Sequence, residues 1–152
     1  MLSSRAKYAT RALLDLTLRY EHGPALIHEI AERQKIPVKF LEQILLSLKH
    51  AGFVESRKGR GGGYFLAKPP TAITLGAVVR VIDGPLAPIS CVSVTNYMAC
   101  GCPDPTTCGL RTVWQEARNA LADVLDRTTF AEIRERQQGM EERQIEIYDY
   151  VI

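Results

Sequence analysis

Cysteine is absent from residues 1–90 and from residues 109–152 of this 152-residue chain. All four thiols, Cys91, Cys100, Cys102 and Cys108, fall in the stretch SCVSVTNYMACGCPDPTTCGL, Ser90 to Leu110. Long apolar runs are missing too. The opening MLSSRAKYATRALL has no continuous apolar core of the signal-peptide kind. Gly84 to Pro103 carries no charge over twenty residues, the length of a membrane span. Yet it holds Pro85, Pro88, Pro103, two glycines and several Ser, Thr and Asn residues, which is loop composition and not a hydrocarbon-crossing helix. No membrane partner is expected, and the chain reads as cytoplasmic. In a reducing cytosol, clustered thiols serve as metal ligands or redox groups more often than as structural disulfides. No internal repeat or low-complexity tract occurs.

What is present suits one domain, or a small domain with an arm. Hydrophobic residues at 46% allow a real core, and 24% charged residues are ordinary for a globular chain, so wholesale disorder is excluded. The net charge of +2 conceals an asymmetry: residues 1–68 carry +6 and residues 69–152 carry −4. A basic front half favours a polyanionic partner, against the plain alternative of scattered solvated charges.

Apolar spacing places the elements. Ala6, Ala9, Leu13, Leu16 and Tyr20 define one helix face after Ser3 and Ser4. A short helix follows over ALIHEIAERQ, with Ile27, Ile30 and Ala31 inward. Pro37 suits the first turn of the next helix, whose stripe is Val38, Leu41, Ile44, Leu45 and Leu48, closed by Gly52. Phe53 to Lys58 and Tyr64 to Lys68 read as two strands around a glycine turn. A further short helix buries Leu75, Val78, Val79 and Ile82. The expected fold is mainly α, a winged helix-turn-helix with a long C-terminal dimerisation helix. Expected boundaries are 1–84 for the DNA-binding domain, 85–109 for the cysteine loop, and 110–152 for the dimerisation helix and arm.

That long helix is marked by Leu110, Val113, Trp114, Ala117, Leu121, Val124 and Leu125. The stripe is longer than so small a domain needs for its own core, so part of it should face a twin. Thr129 with Glu132 is a capping-box signature for a last helix through about Gln138, which Gly139 interrupts. The tail MEERQIEIYDYVI is ambiguous between helix and strand.

In a helix-turn-helix the second helix reads base edges near its N-terminus. Here Lys39, Glu42 and Gln43 lie opposite the apolar stripe, and their donors and acceptors suit base edges or phosphate. An ordinary solvated face is the alternative. The wing strengthens the DNA reading: Arg57, Lys58 and Arg60 flank GRGGG, a turn that permits close backbone approach. A nucleotide-cradling glycine loop would need a helix after the glycines, and YFLAKP is a strand pattern.

The thiol spacing, with eight, one and five residues between successive cysteines, lacks the paired C-x2–4-C units usual for structural zinc. Soft thiolates also suit iron–sulfur clusters, and a thiol redox switch needs no metal. No nucleophile–base pair stands near the cysteines, so no catalytic residue is assigned and enzyme activity is not expected. A small electron-transfer protein would have no use for a basic wing.

RAKYATRALLDL, IAERQKIPVKFLEQILLSLKHAGFVESRKGRGGGYFLAKP and TLGAVVRVIDG, with the cysteine loop and a Trp-bearing helix, resemble the Rrf-two family of bacterial regulators over about residues 1–135. That family includes IscR-, NsrR-, RirA- and CymR-like members. The resemblance implies a homodimeric repressor or activator on double-stranded DNA, with repression the expected sense and a pseudo-palindromic operator as its site. It implies that Glu42 and Gln43 lie where members read bases and that Lys58 takes the place of a wing arginine. Arg60 stands where IscR-like sequences have proline.

The resemblance also implies an iron–sulfur cluster, two-iron or four-iron, on Cys91, Cys102 and Cys108. The histidine ligand of IscR-like members is replaced by Arg111, and the N-terminal aspartate of NsrR-like members by Lys7 or Tyr8. Cys100 is then the candidate fourth ligand, with a spare thiol as the alternative. The alternative is a metal-free regulator of CymR type, controlled by thiol chemistry or a protein partner.

Overall fold

A computed structural model describes residues 2–151. Within them the elements run α1 (Ser4–Leu18), α2 (Ile27–Gln34), α3 (Val38–His50), β1 (Val54–Arg57), β2 (Gly63–Leu66), α4 (Leu75–Asp83), α5 (Gly109–Arg127) and α6 (Phe130–Val151). This is the expected mainly helical plan, three helices and a hairpin wing followed by further helices.

Local chemistry sets the boundaries. Ser3 Oγ accepts from Ala6 N at 3.0 Å and starts α1. Ala6, Ala9, Leu13 and Leu16 are buried, whereas Tyr20 lies beyond the helix end and is exposed. Pro37 is the N-cap of α3, one position before the first helical residue, and its carbonyl accepts from Leu41 N at 2.9 Å. At the far end Gly52 takes a positive φ of 75°. Phe53 N then reaches Leu48 O at 2.9 Å and Gly52 N reaches Lys49 O at 3.0 Å, a Schellman closure that turns Phe53 into the core.

Leu13, Ile30, Leu41, Ile44, Leu45, Leu48, Ile73 and Val78 form the centre of the core. One charged group sits among them. Asp15, 3% exposed, accepts from Arg33 Nε at 2.9 Å, Arg33 Nη2 at 2.8 Å and Gln34 Nε2 at 3.1 Å. This fork fastens α2 to α1 and raises the Arg33 pKa, chiefly through the Asp15 hydrogen bond.

The wing pairs Val54 with Leu66 and Arg57 with Gly63, antiparallel. Ala25 and Tyr64 exchange two backbone hydrogen bonds of 2.8 Å, so the α1–α2 connection forms a third rung beside β2. The glycines answer to this closeness. A Cβ on Gly63 would lie 2.5 Å from Ala25 O, and one on Gly62 would lie 2.2 Å from Arg57 O.

The last helix departs from expectation. Gly139 does not interrupt it; α6 runs unbroken from Phe130 to Val151, so the ambiguous tail is helical as far as it is described. A mid-helix glycine costs about 1 kcal/mol relative to alanine, which the Glu-, Gln- and Arg-rich flanks can carry. Its start is as predicted: Thr129 N donates to Glu132 Oε2 at 2.8 Å while Glu132 N donates to Thr129 Oγ1 at 3.2 Å. Phe130 N also reaches Ile73 O at 2.9 Å, and the Phe130 ring is buried in the core made by the N-terminal helices.

Candidate DNA-reading face and cysteine loop

Burial of the α3 stripe leaves Lys39, Glu42 and Gln43 exposed together on the first two turns. A shallow cleft of about 450 Å³ opens beside them, lined by Lys39, Phe40, Gln43, Pro37 and two α1 residues, Ser4 and Tyr8. Tyr8 meets Phe40 edge-on, with ring centroids 5.6 Å apart and planes at 84°. Sequence reasoning missed Ser4 and Tyr8, because their position beside α3 comes from the α1–α3 crossing and not from any local pattern.

In the wing, Lys58 and Arg60 are exposed at the tip, and neither belongs to the three ion pairs found among the described residues. Arg57 behaves differently: its guanidinium lies over the Phe65 ring, 5.6 Å from the centroid.

The four cysteines carry free thiols of unequal exposure. Cys91 is buried, Cys100 and Cys108 are half-buried, and Cys102 is exposed. The Cys102 thiol and backbone lower the Cys100 pKa, with Cys91 adding to the effect. The Cys102 thiol is pushed up to about 11, first by its hydrogen bond with Cys100 and then by the Cys100 charge, with smaller contributions from Cys108 and Cys91. The Cys102 thiol therefore lies close enough to the other three to respond to each. Among the described residues, however, no three His, Cys, Asp or Glu side chains converge on a point where one metal ion would sit. Four free thiols in a glycine- and proline-rich loop fit a thiolate-bound cluster by donor chemistry. Asp104 is already engaged: it accepts from Thr106 N at 2.9 Å and Thr107 Oγ1 at 2.8 Å, and the Thr106 hydroxyl leads the interactions that lower its pKa to about 2.

The loop is fastened to α5. Arg111 Nε donates to Cys91 O at 3.3 Å, and Arg118 Nη1 donates to Val92 O at 2.7 Å. Arg80 of α4 forks onto Asp126, with Nη2–Oδ2 at 2.8 Å. The spacing of Arg111 and Arg118, seven residues or two turns, is a signal that marks one face and that sequence reasoning passed over.

The outcome for α5 is inverted amphipathicity. Its polar side, Arg111, Arg118 and Asp126, meets its own chain. Its apolar side, Leu110, Val113, Trp114, Ala117, Leu121 and Val124, is exposed, and Leu125 is half-buried; no residue of the helix is buried. Leu110 is 73% exposed and Leu121 43%.

A family model described as "Iron-dependent Transcriptional regulator" (Rrf2) matches residues 2–136. The chain belongs to the Rrf2 family. An rrf2-like HTH-type transcriptional regulator of Rhodobacter capsulatus is 41% identical over 137 residues, 88% of this chain and 91% of that protein. The IscR transcriptional regulator of Yersinia pestis is 34% identical over 140 residues, 92% of this chain and 82% of that protein. The solved structure of CymR, the global cysteine regulator of B. subtilis, superposes with a TM-score of 0.76 at 29% identity, covering 90% of this chain and 97% of that one. IscR of T. potens gives a TM-score of 0.72 at 28% identity, covering 90% and 88%. The winged helix-turn-helix is thus shared with Rrf2 transcription regulators, whose family includes both IscR and CymR types. No helix among the described residues is long and apolar enough to cross a membrane.

Proposed function

We propose that this Rrf2 protein is a homodimeric repressor whose affinity for a pseudo-palindromic operator is set by an iron–sulfur cluster held on Cys91, Cys100, Cys102 and Cys108. The single observation that carries the reading is the set of four free thiols in one loop, fastened to α5 through the carbonyls of Cys91 and Val92. The family's iron dependence and the likeness to IscR regulators support it. When bound, the cluster would supply an iron- and oxidant-sensitive cross-link of the loop.

The residues of the chain offer a route from that loop to the DNA. Arg111 and Arg118 hold the loop to α5, and Arg80–Asp126 holds α5 to α4. Asp83, at the end of α4, accepts from Ser3 N at 2.8 Å where α1 begins. Tyr8 of α1 then abuts Phe40 of the reading helix. A change in the loop that loosened the arginine anchors would bias the setting of Lys39, Glu42 and Gln43. Two such heads, joined through the apolar side of α5, would meet half-sites about one helical turn apart. Lys58 and Arg60 would grip phosphate or enter the minor groove.

A second reading, a metal-free thiol switch of CymR type, is favoured by the lowered Cys100 pKa and by the likeness to CymR. The visible absorption spectrum of anaerobically purified protein, with iron and sulfide analysis, separates the two. Iron, sulfide and a charge-transfer band support the cluster; a colourless protein that binds its operator only while its thiols are reduced selects the switch.

A further inference from the structure

Two arginines have no acidic partner among the described residues and line one cleft. The cleft, about 170 Å³, lies between the C-terminal end of α1 and the base of the wing, lined by Leu16, Arg19, Tyr20, Arg57 and Phe65 with the Gly23–Pro24 turn. No Asp or Glu lines it. Neither Arg19 nor Arg57 belongs to an ion pair or makes a side-chain hydrogen bond among the described residues. Arg19 Nε is buried and has no hydrogen-bond partner. Leaving a guanidinium N–H without an acceptor away from water is costly, so an acceptor in the cleft that drew the Arg19 side chain toward it would relieve that cost.

We infer that this cleft is a binding site for one phosphate group, clamped by Arg19 and Arg57. Two planar forks with no counter-charge suit a tetrahedral oxyanion with several acceptor oxygens. The cleft falls below the ~300–1,000 Å³ of drug-sized ligand sites, so it takes a single phosphate and not a whole nucleotide. The Phe65 ring under the Arg57 guanidinium holds that fork in place. The phosphate has two sources of the same chemistry, a phosphodiester of the DNA backbone beside the wing or free inorganic phosphate. The site does not depend on what the cysteine loop carries, nor on the identity of the operator.

The test uses the full-length protein and two arms. Without DNA, inorganic phosphate is titrated at constant ionic strength while the arginine Nε–H resonances are followed by nitrogen–proton NMR, with chloride as control. With DNA, the salt dependence of duplex binding is measured for wild type, Arg19→Gln and Arg57→Gln; Arg57 is exposed, so its replacement leaves folding intact. A saturable shift of the Arg19 Nε–H with phosphate and not with chloride assigns the site to the free anion. A fall of about 1 in the salt slope for both variants assigns it to the DNA backbone. If phosphate produces no more shift than chloride and neither variant changes the slope, the inference is overturned.

Discussion

Arg118 of α5 donates to the carbonyl of Val92 at 2.7 Å, one residue beyond buried Cys91. The hydrogen bond ties the long helix to the inner end of the cysteine loop. Replacing Arg118 by Ala removes a charged donor at a half-buried site and should cost about 1 kcal/mol. Thermal unfolding should shift down, and a thiol reagent should modify Cys91 faster in the metal-free protein. An unchanged modification rate would mean that the anchor does not restrain the loop.

The reading helix and the wing should separate in their effects on DNA. Glu42→Ala removes an exposed acceptor suited to a base edge and should relax base preference in a randomised-site selection. Arg60→Ala should weaken binding to every sequence alike and lower the salt slope by about 1. If Glu42→Ala leaves the selected sequence unchanged, α3 does not read bases at that position.

Leu121 is an exposed apolar residue on a helix that buries nothing. In a lone protomer, Leu121→Glu would meet water and leave the fold intact. In a dimer joined through α5 it would bury an unpaired charge. The expected variant is folded by circular dichroism and monomeric by light scattering, beside a dimeric wild type. A wild type that is monomeric at micromolar concentration would refute the shared α5 interface.

Cys100→Ser bears on the fourth ligand. Loss of the visible chromophore and of iron is expected, as for Cys91→Ser, Cys102→Ser and Cys108→Ser, because serine oxygen is a poorer ligand for this iron. Asp104 is held by Thr106 and Thr107 and is not free to substitute without breaking its own turn. Full iron content with an unaltered spectrum in Cys100→Ser would remove Cys100 from the ligand set.

The start of α6 should be acid-sensitive. The Thr129 backbone, chiefly, holds the Glu132 carboxyl below its ordinary pKa. A depressed carboxylate contributes stability above its unfolded pKa and loses it as pH falls through the folded one. Amide exchange at residues 130–134 should therefore quicken in acid, and Glu132→Gln should flatten that dependence. Thr129→Ala, which removes the cap itself, should cost about 1 kcal/mol at neutral pH. An Ala variant as stable as wild type would show that packing of Phe130 alone fixes this end.

Much of the fold was legible in periodicity, because burial on one face repeats with the helical turn. Ala6, Ala9, Leu13 and Leu16, the α3 stripe, and the Thr129–Glu132 cap are all local in sequence, and each stands where the pattern places it. The run of glycines in the wing was legible as a turn, but its cause was not: Gly63 yields to the carbonyl of Ala25, a neighbour 38 residues away in the chain. The continuation of α6 through Gly139 runs against the local signal, because a propensity penalty of about 1 kcal/mol is small against the helix formers on either side.

The sequence by itself determined that this is a basic-fronted helical chain with all its thiols in one loop, since composition and spacing need no partner to be read. Only the tertiary structure decided that the arginine side of α5 packs on its own chain, that buried Asp15 is met by Arg33 from the surface, and that Arg19 Nε ends up buried without an acceptor among the described residues. Those outcomes depend on contacts between segments distant in the chain. Their geometry is set by how whole helices cross, and no window along the sequence contains that information.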